Sequence, residues 1–189
     1  MKIEQIRDAL PDYARDLKLN LGTVLTTQGA PGLNEKQIWS IALASAIAAR
    51  NTSFARSVEA ESRAHLADLD IEGAKAAAAI MGMNNIYYRF LHLVEDGEYQ
   101  TMPARLRMNV IANHGIDKLD FELISLAVSA VNGCGLCVTS HEKKLRSHDV
   151  SREAIQSAVR IAATIHAVAG VLEFEQSQPV TAGSAELAA

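Results

Sequence analysis

Apolar residues recur along most of the chain at spacings of three and four, the period of a helix with one buried face. At the start, Ile3, Ile6, Leu10, Tyr13 and Leu17 form such a stripe. Pro11 cuts it, which predicts two short helices meeting near Leu10. Gly29-Ala30-Pro31-Gly32 ends this region. Beyond it, Asn34 has the short polar side chain of an N-cap and predicts a helix over 35–49. A second helix is expected over 53–66. Asp70 is placed to cap a third, running through the alanine-rich stretch 71–81 toward Phe90. The segment 95–103, from Glu95-Asp96-Gly97 to Pro103, reads as a loop. After it come a short helix near 104–112 and longer ones over 118–131, 134–147 and from Ser151 to about Phe174. The closing residues 177–189 are small and polar, the composition of a disordered tail.

The pattern is therefore all-α, with one domain over 1–176 made of an N-terminal half (about 1–95) and a C-terminal half (about 100–176). The halves echo each other. Sliding the chain by 84 residues sets Ser45-Ala46 on Ser129-Ala130, and Ile71, Ala74, Ala78 and Ala79 on Ile155, Ala158, Ala162 and Ala163. A duplicated helical unit is the expectation. The same shift sets Cys134, Cys137 and His141 against Arg50, Ser53 and Ser57, so only the second copy keeps reactive groups.

Composition agrees. Hydrophobic residues make up 49% of the chain and aromatic ones 5%, with alanine dominant, as long, closely packed helices require. A net charge of −4 argues against nucleic acid as the main partner, since phosphate neutralisation needs a clustered basic face. The one basic run, Lys143-Lys144-Leu145-Arg146, suits the end of a helix, where cations complement the dipole. The first residues are charged throughout (Lys2, Glu4, Arg7, Asp8), and no uninterrupted apolar run reaches the roughly 18 residues of a membrane span. A cytoplasmic protein with no membrane segment is expected.

The chemistry concentrates in Asn132-Gly133-Cys134-Gly135-Leu136-Cys137-Val138-Thr139-Ser140-His141, which holds both cysteines of the chain. Asn132-Gly133 closes one helix, so Cys134 opens the next. Spacings of three and four place Cys134, Cys137 and His141 on one face. Cysteines three apart at a helix start lie within disulfide reach, and an imidazole four residues on can take the Cys137 proton. Glu122, on the apolar helix leading into the motif, is costly to bury unpaired and can orient that imidazole. A helix N-terminus favours Cys134 as the thiolate, whereas His141 favours Cys137. Helix-end effects fade within a turn and a positioned base acts directly, so the balance goes to Cys137. Two other uses of these residues stay open at this point. One is general thiol–disulfide exchange; the other is a non-enzymatic Cys/His metal domain, with zinc completed by His141 and Glu122 or His148. The remaining histidines, His65, His92, His114, His148 and His166, read individually as structural or solvated.

Glu122, eleven residues, Cys134-x-x-Cys137, three residues and His141 together resemble the signature of the alkylhydroperoxidase D family, within the carboxymuconolactone-decarboxylase-like superfamily. The run Ile124-Ser125-Leu126-Ala127-Val128-Ser129-Ala130-Val131 before the motif is similar too, and the likeness covers the chain to about residue 176. The resemblance implies a thiol peroxidase, an alkyl hydroperoxide reductase, with no bound cofactor or metal. Cys137 would be the peroxidatic cysteine and Cys134 the resolving one. His141 would be the base and Glu122 the proton relay, through a water. It implies re-reduction by dihydrolipoyl groups, carried on a lipoylated acyltransferase and recharged by dihydrolipoamide dehydrogenase. It also implies a homotrimer, and in some members a peroxiredoxin partner. Leu136 departs from members that carry histidine between the cysteines, which removes one proton carrier. Decarboxylase relatives do not depend on a cysteine pair, so that activity is disfavoured.

Overall fold

The computed structural model describes residues 2–176; the tail expected over 177–189 lies outside them. Among the described residues the structure is helical, without strands. Pro11 divides the first stripe as expected. Helix α1 (Ile3–Ala9) ends before it, and a 3-10 turn (Asp12–Ala14) leads into α2 (Arg15–Val24), which runs on past Leu17. Asn34 caps α3 (Glu35–Ala48): its Oδ1 accepts from the Gln37 N–H at 2.9 Å, while Gln37 Oε1 accepts from the Asn34 N–H at 3.0 Å. Asn51 caps α4 (Thr52–Ser62) by accepting the Phe54 N–H at 2.9 Å.

Four sequence expectations shift. Helix α4 stops at Ser62, short of 66, because residues 63–65 close in a turn. Helix α5 (Asp68–Leu93) starts two residues before the expected Asp70 cap; Ala67 takes the cap position, and both Asp68 and Asp70 lie in the first turn, where the dipole favours them. The expected loop 95–103 holds a short helix, α6 (Glu98–Thr101). The helix expected near 104–112 is absent apart from a 3-10 turn over Asn109–Ile111. Pro103 lacks the N–H a helix needs, and Arg105, at φ 51°, takes a left-handed conformation incompatible with one.

The C-terminal half contains α7 (Lys118–Val131), α8 (Gly135–Arg146) and α9 (Arg152–Gln176). Asp117 caps α7 through the Leu119 and Asp120 N–H groups. Lys143, Lys144 and Arg146 occupy the last turn of α8, the helix end anticipated for them. Helices α3, α4 and α5 begin at residues 35, 52 and 68, and α7, α8 and α9 at 118, 135 and 152, offsets of 83, 83 and 84 residues.

Helix α3 is the hub, packed against α4, α5, α7 and α9. Residues 38–46 are all buried, so it is enclosed on every side. Alanines 42, 44, 74, 77, 127 and 158 sit at these crossings with no solvent exposure, and their small side chains let the helix axes approach closely. Helix α9 is long and apolar enough to cross a membrane by length and composition. Its Ile155, Ile161, Ile165 and Val168 are nonetheless buried where it packs on α3, α7 and α2, the pattern of a core helix.

Polar clamps set the helices in register. Asp120 on α7 is buried and takes Lys36 Nζ at 2.6 Å and Gln37 Nε2 at 2.7 Å, so the glutamine that completes the α3 capping box also bridges to α7. Glu59 on α4 takes Lys75 of α5 at 2.8 Å and Arg56 at 2.8 Å. The Lys75 and then the Arg56 hydrogen bonds hold its carboxyl below the ordinary carboxylate value.

Candidate active site

The redox motif is built by the way α7 stops. Gly133 adopts φ 68°; its N–H donates to Ala130 O at 3.1 Å and the Cys134 N–H donates to Ser129 O at 3.1 Å. These two bonds are the Schellman pattern, in which a left-handed glycine satisfies the last carbonyls of a helix. The chain leaves that turn extended at Cys134 (φ −93°, ψ 92°), which becomes the N-cap of α8. Cys134 thus precedes the helix and does not sit in its first turn. Its Sγ accepts the Cys137 N–H at 3.3 Å, using sulfur where a serine or asparagine oxygen usually caps. A disulfide joins Cys134 and Cys137, whose Cα atoms are 5.3 Å apart, the common spacing for such a bond.

The two sulfurs are not equivalent. Cys134 has no solvent exposure, whereas Cys137 retains 7% and lines a cavity of about 400 Å³ between α5, α7 and α8. His141 and Glu122 line the same cavity. Glu122 Oε2 lies 2.7 Å from His141 Nδ1, with both side chains largely shielded from solvent. A carboxylate on Nδ1 makes that nitrogen the donor and leaves Nε2 as the basic position of a neutral ring. The structure therefore brings all four sequence-selected residues together: Cys134 behind, Cys137 at the wall, and the His141–Glu122 pair beside it. Leu136 is 41% exposed and also faces the cavity. Among the described residues no group of three or more His, Cys, Asp or Glu side chains is arranged to hold a metal ion. His148 bonds the Lys144 carbonyl on the exposed end of α8. His114 stacks on Phe121 at a centroid distance of 4.1 Å, and His65 on Trp39 at 4.4 Å.

Sequence reasoning passed over what α5 contributes. Asn85 is fully buried; its Nδ2 donates to Ser129 Oγ at 2.8 Å and its Oδ1 accepts from Asn132 Nδ2 at 2.9 Å. Arg89, one turn on, donates to the Asn132 carbonyl at 2.7 Å. The turn carrying Cys134 is tied to a neighbouring helix at three points. Met81, Asn84 and Tyr88, on one face of α5 at spacings of three and four, line the cavity itself. Met108 and Ile111 from the irregular segment close its other side. The available signal was Asn84-Asn85, two poor helix formers in the middle of an alanine-rich helix.

The profile of the carboxymuconolactone decarboxylase family matches residues 97–174, the stretch from α6 through α9. A protein of Rhodospirillum centenum called alkyl hydroperoxide reductase AhpD is 53% identical over 189 residues, the full length of both chains. Proteins of the same name from Gluconacetobacter diazotrophicus and Solibacter usitatus are 56% identical over 173 residues and 54% over 175. They align with 92% and 93% of this chain, and 93% and 97% of their own lengths are covered. This chain belongs to the AhpD family. The full-length relative aligns beyond the cysteine motif to the N-terminal part of the chain, including the α5 segment that braces the redox turn.

Proposed function

We propose that this protein is an alkyl hydroperoxide reductase working through the Cys134–Cys137 dithiol. The observation that carries the reading is that Cys137 alone of the two cysteines opens on the cavity, beside a carboxylate-held imidazole. In the reduced enzyme His141 takes the Cys137 proton, and Glu122 stabilises the resulting imidazolium and relays the proton through water. The thiolate attacks the terminal oxygen of the hydroperoxide. An S–O bond forms, the O–O bond breaks, and the alkoxide leaves as an alcohol, taking back through His141 the proton that the His141–Glu122 relay had accepted. Sulfur is oxidised to the sulfenic acid and the peroxide oxygen is reduced. The Cys134 thiol then displaces water from Cys137 to give the disulfide. A dithiol restores the pair, and in this reading it is a dihydrolipoyl group on an acyltransferase, recharged by dihydrolipoamide dehydrogenase. In the same reading the dithiol also serves a peroxiredoxin partner.

The same reading places the protein in the cytoplasm as a homotrimer. Ile86, Phe90 and Leu93, exposed on the second half of α5, supply apolar surface for self-association. The matched helix starts of the two halves support a duplicated unit in one domain over 1–176, the first copy serving as scaffold.

The test is turnover of cumene hydroperoxide with dihydrolipoamide as reductant. Cys137→Ser should abolish turnover. Cys134→Ser should stop after one equivalent of peroxide, with a sulfenic acid that dimedone traps. Full activity in Cys137→Ser would refute the assignment.

A further inference from the structure

Among the described residues three buried side-chain atoms have no hydrogen-bond partner: Ser45 Oγ, Asn84 Oδ1 and Ser125 Oγ. An unpaired buried polar atom costs about 1–3 kcal/mol, so each calls for a reason. The two serines lie on α3 and α7, the enclosed helices at the centre of the bundle. Asn84 is different. It is only 4% exposed, and it lines the cavity that holds Cys137, His141 and Glu122. Its neighbour Asn85, by contrast, has both ends of its amide engaged. A leucine or alanine would fill the Asn84 position on α5 without leaving a carbonyl unpaired.

We infer that Asn84 is a substrate-binding residue whose carboxamide grips the peroxide group itself. This role rests on the hydroperoxide-reductase reading above. A hydroperoxide carries one O–H donor, on the oxygen that the thiolate attacks, and a second oxygen that departs with negative charge. A carboxamide matches both. A turn of the amide brings Oδ1, which is shut off from solvent in this structure, into the cavity to accept the O–H, and Nδ2 donates to the departing oxygen as its charge develops. Asn84 undergoes no chemistry. It orients the O–O bond toward Cys137, and its unpaired carbonyl is satisfied only when substrate is present. The remaining walls, Met81, Tyr88, Met108 and Phe121, are left to meet the alkyl group.

The experiment uses the full-length reduced protein as wild type, Asn84→Leu and Asn84→Ala. Two single-turnover rates are measured for each: thiol loss with cumene hydroperoxide, and thiol reaction with the disulfide reagent DTNB, which needs no peroxide site. In both variants the peroxide rate should fall roughly 100- to 1000-fold, the effect of losing one preorganised hydrogen-bonding group. The DTNB rate should stay within about twofold, and the Tm of Asn84→Leu should not drop, because an unpaired buried carbonyl has been removed. An unchanged peroxide rate in whichever variant folds overturns the role, as does an equal fall in both rates. A wild type inert to hydroperoxide overturns the reductase reading and this role together, an outcome readily told apart from the other two.

Discussion

Replacing Glu122 with glutamine is the sharpest perturbation of the His141–Glu122 pair. The amide oxygen can still accept the Nδ1–H over the observed 2.7 Å, so the ring stays oriented and only the negative charge is lost. The pair keeps 16% and 22% side-chain exposure, so solvent screens it only in part. A hydrogen bond to a charged group is worth about 1.5–3 kcal/mol. Glutamine retains a neutral hydrogen bond worth about 0.5–1.5 kcal/mol, so about 1–1.5 kcal/mol of charge stabilisation leaves the imidazolium formed when Cys137 loses its proton, and thiolate-dependent steps slow by about 5- to 13-fold, at 1.36 kcal/mol per decade. The measurement is the rate of Cys137 alkylation by iodoacetamide at pH 7, in a Cys134→Ser background with peroxide absent. Peroxide consumption should fall in parallel. Circular dichroism and Tm should stay near the parent, because the hydrogen bond persists. Rates within twofold of the parent would mean that the carboxylate does not act through His141, and would favour general thiol–disulfide exchange.

Other consequences are equally open to measurement. Gly133→Ala meets no atom within 4 Å of the added Cβ but must hold φ 68°, so urea unfolding should show a loss of about 1–2 kcal/mol from backbone strain alone. Glu59→Gln should cost about 0.5–1.5 kcal/mol at pH 7, discounted because Arg56 is mostly solvated. Its carboxyl is held below 4.5 in the folded state, so the wild-type advantage is present above that pH and fades as pH falls through the folded value. Unfolding both proteins at pH 7, 5 and 3.5 checks this; a gap that stays constant with pH would rule out the carboxylate as its source.

Local signals were legible because their physics is local. Asn34 caps through its own side chain, Pro11 interrupts through its missing N–H, and Gly133 turns because it lacks a Cβ; none needs a distant partner. The spacing of Glu122, Cys134, Cys137 and His141 was readable for the same reason, since α7 and α8 are consecutive and joined by a short turn. What escaped depends on contacts across the chain. Residues 104–112 have apolar spacing that suits a helix, yet Met108 and Ile111 are spent closing a cavity against α5 and α8. Asn84 and Asn85 looked like weak points in an alanine-rich helix. The use of Asn85 is set by a turn more than 40 residues away, as the Asn85–Ser129 separation of 44 shows. Asp70 as a cap failed by two residues because Asp68 offered the same charge earlier.

The closed position of Cys134 has a consequence for the order of events. With no exposure at that sulfur, an incoming reducing thiol can reach only Cys137, through the same cavity that the proposed reaction gives to the peroxide. Peroxide and reductant must therefore take turns at one door. Double-reciprocal plots should run parallel, and each substrate in excess should slow the other. The mixed disulfide with the reductant would form on Cys137, leaving Cys134 to emerge first as a free thiol. A slender dithiol arm suits such an entrance better than the broad face of a folded redox protein.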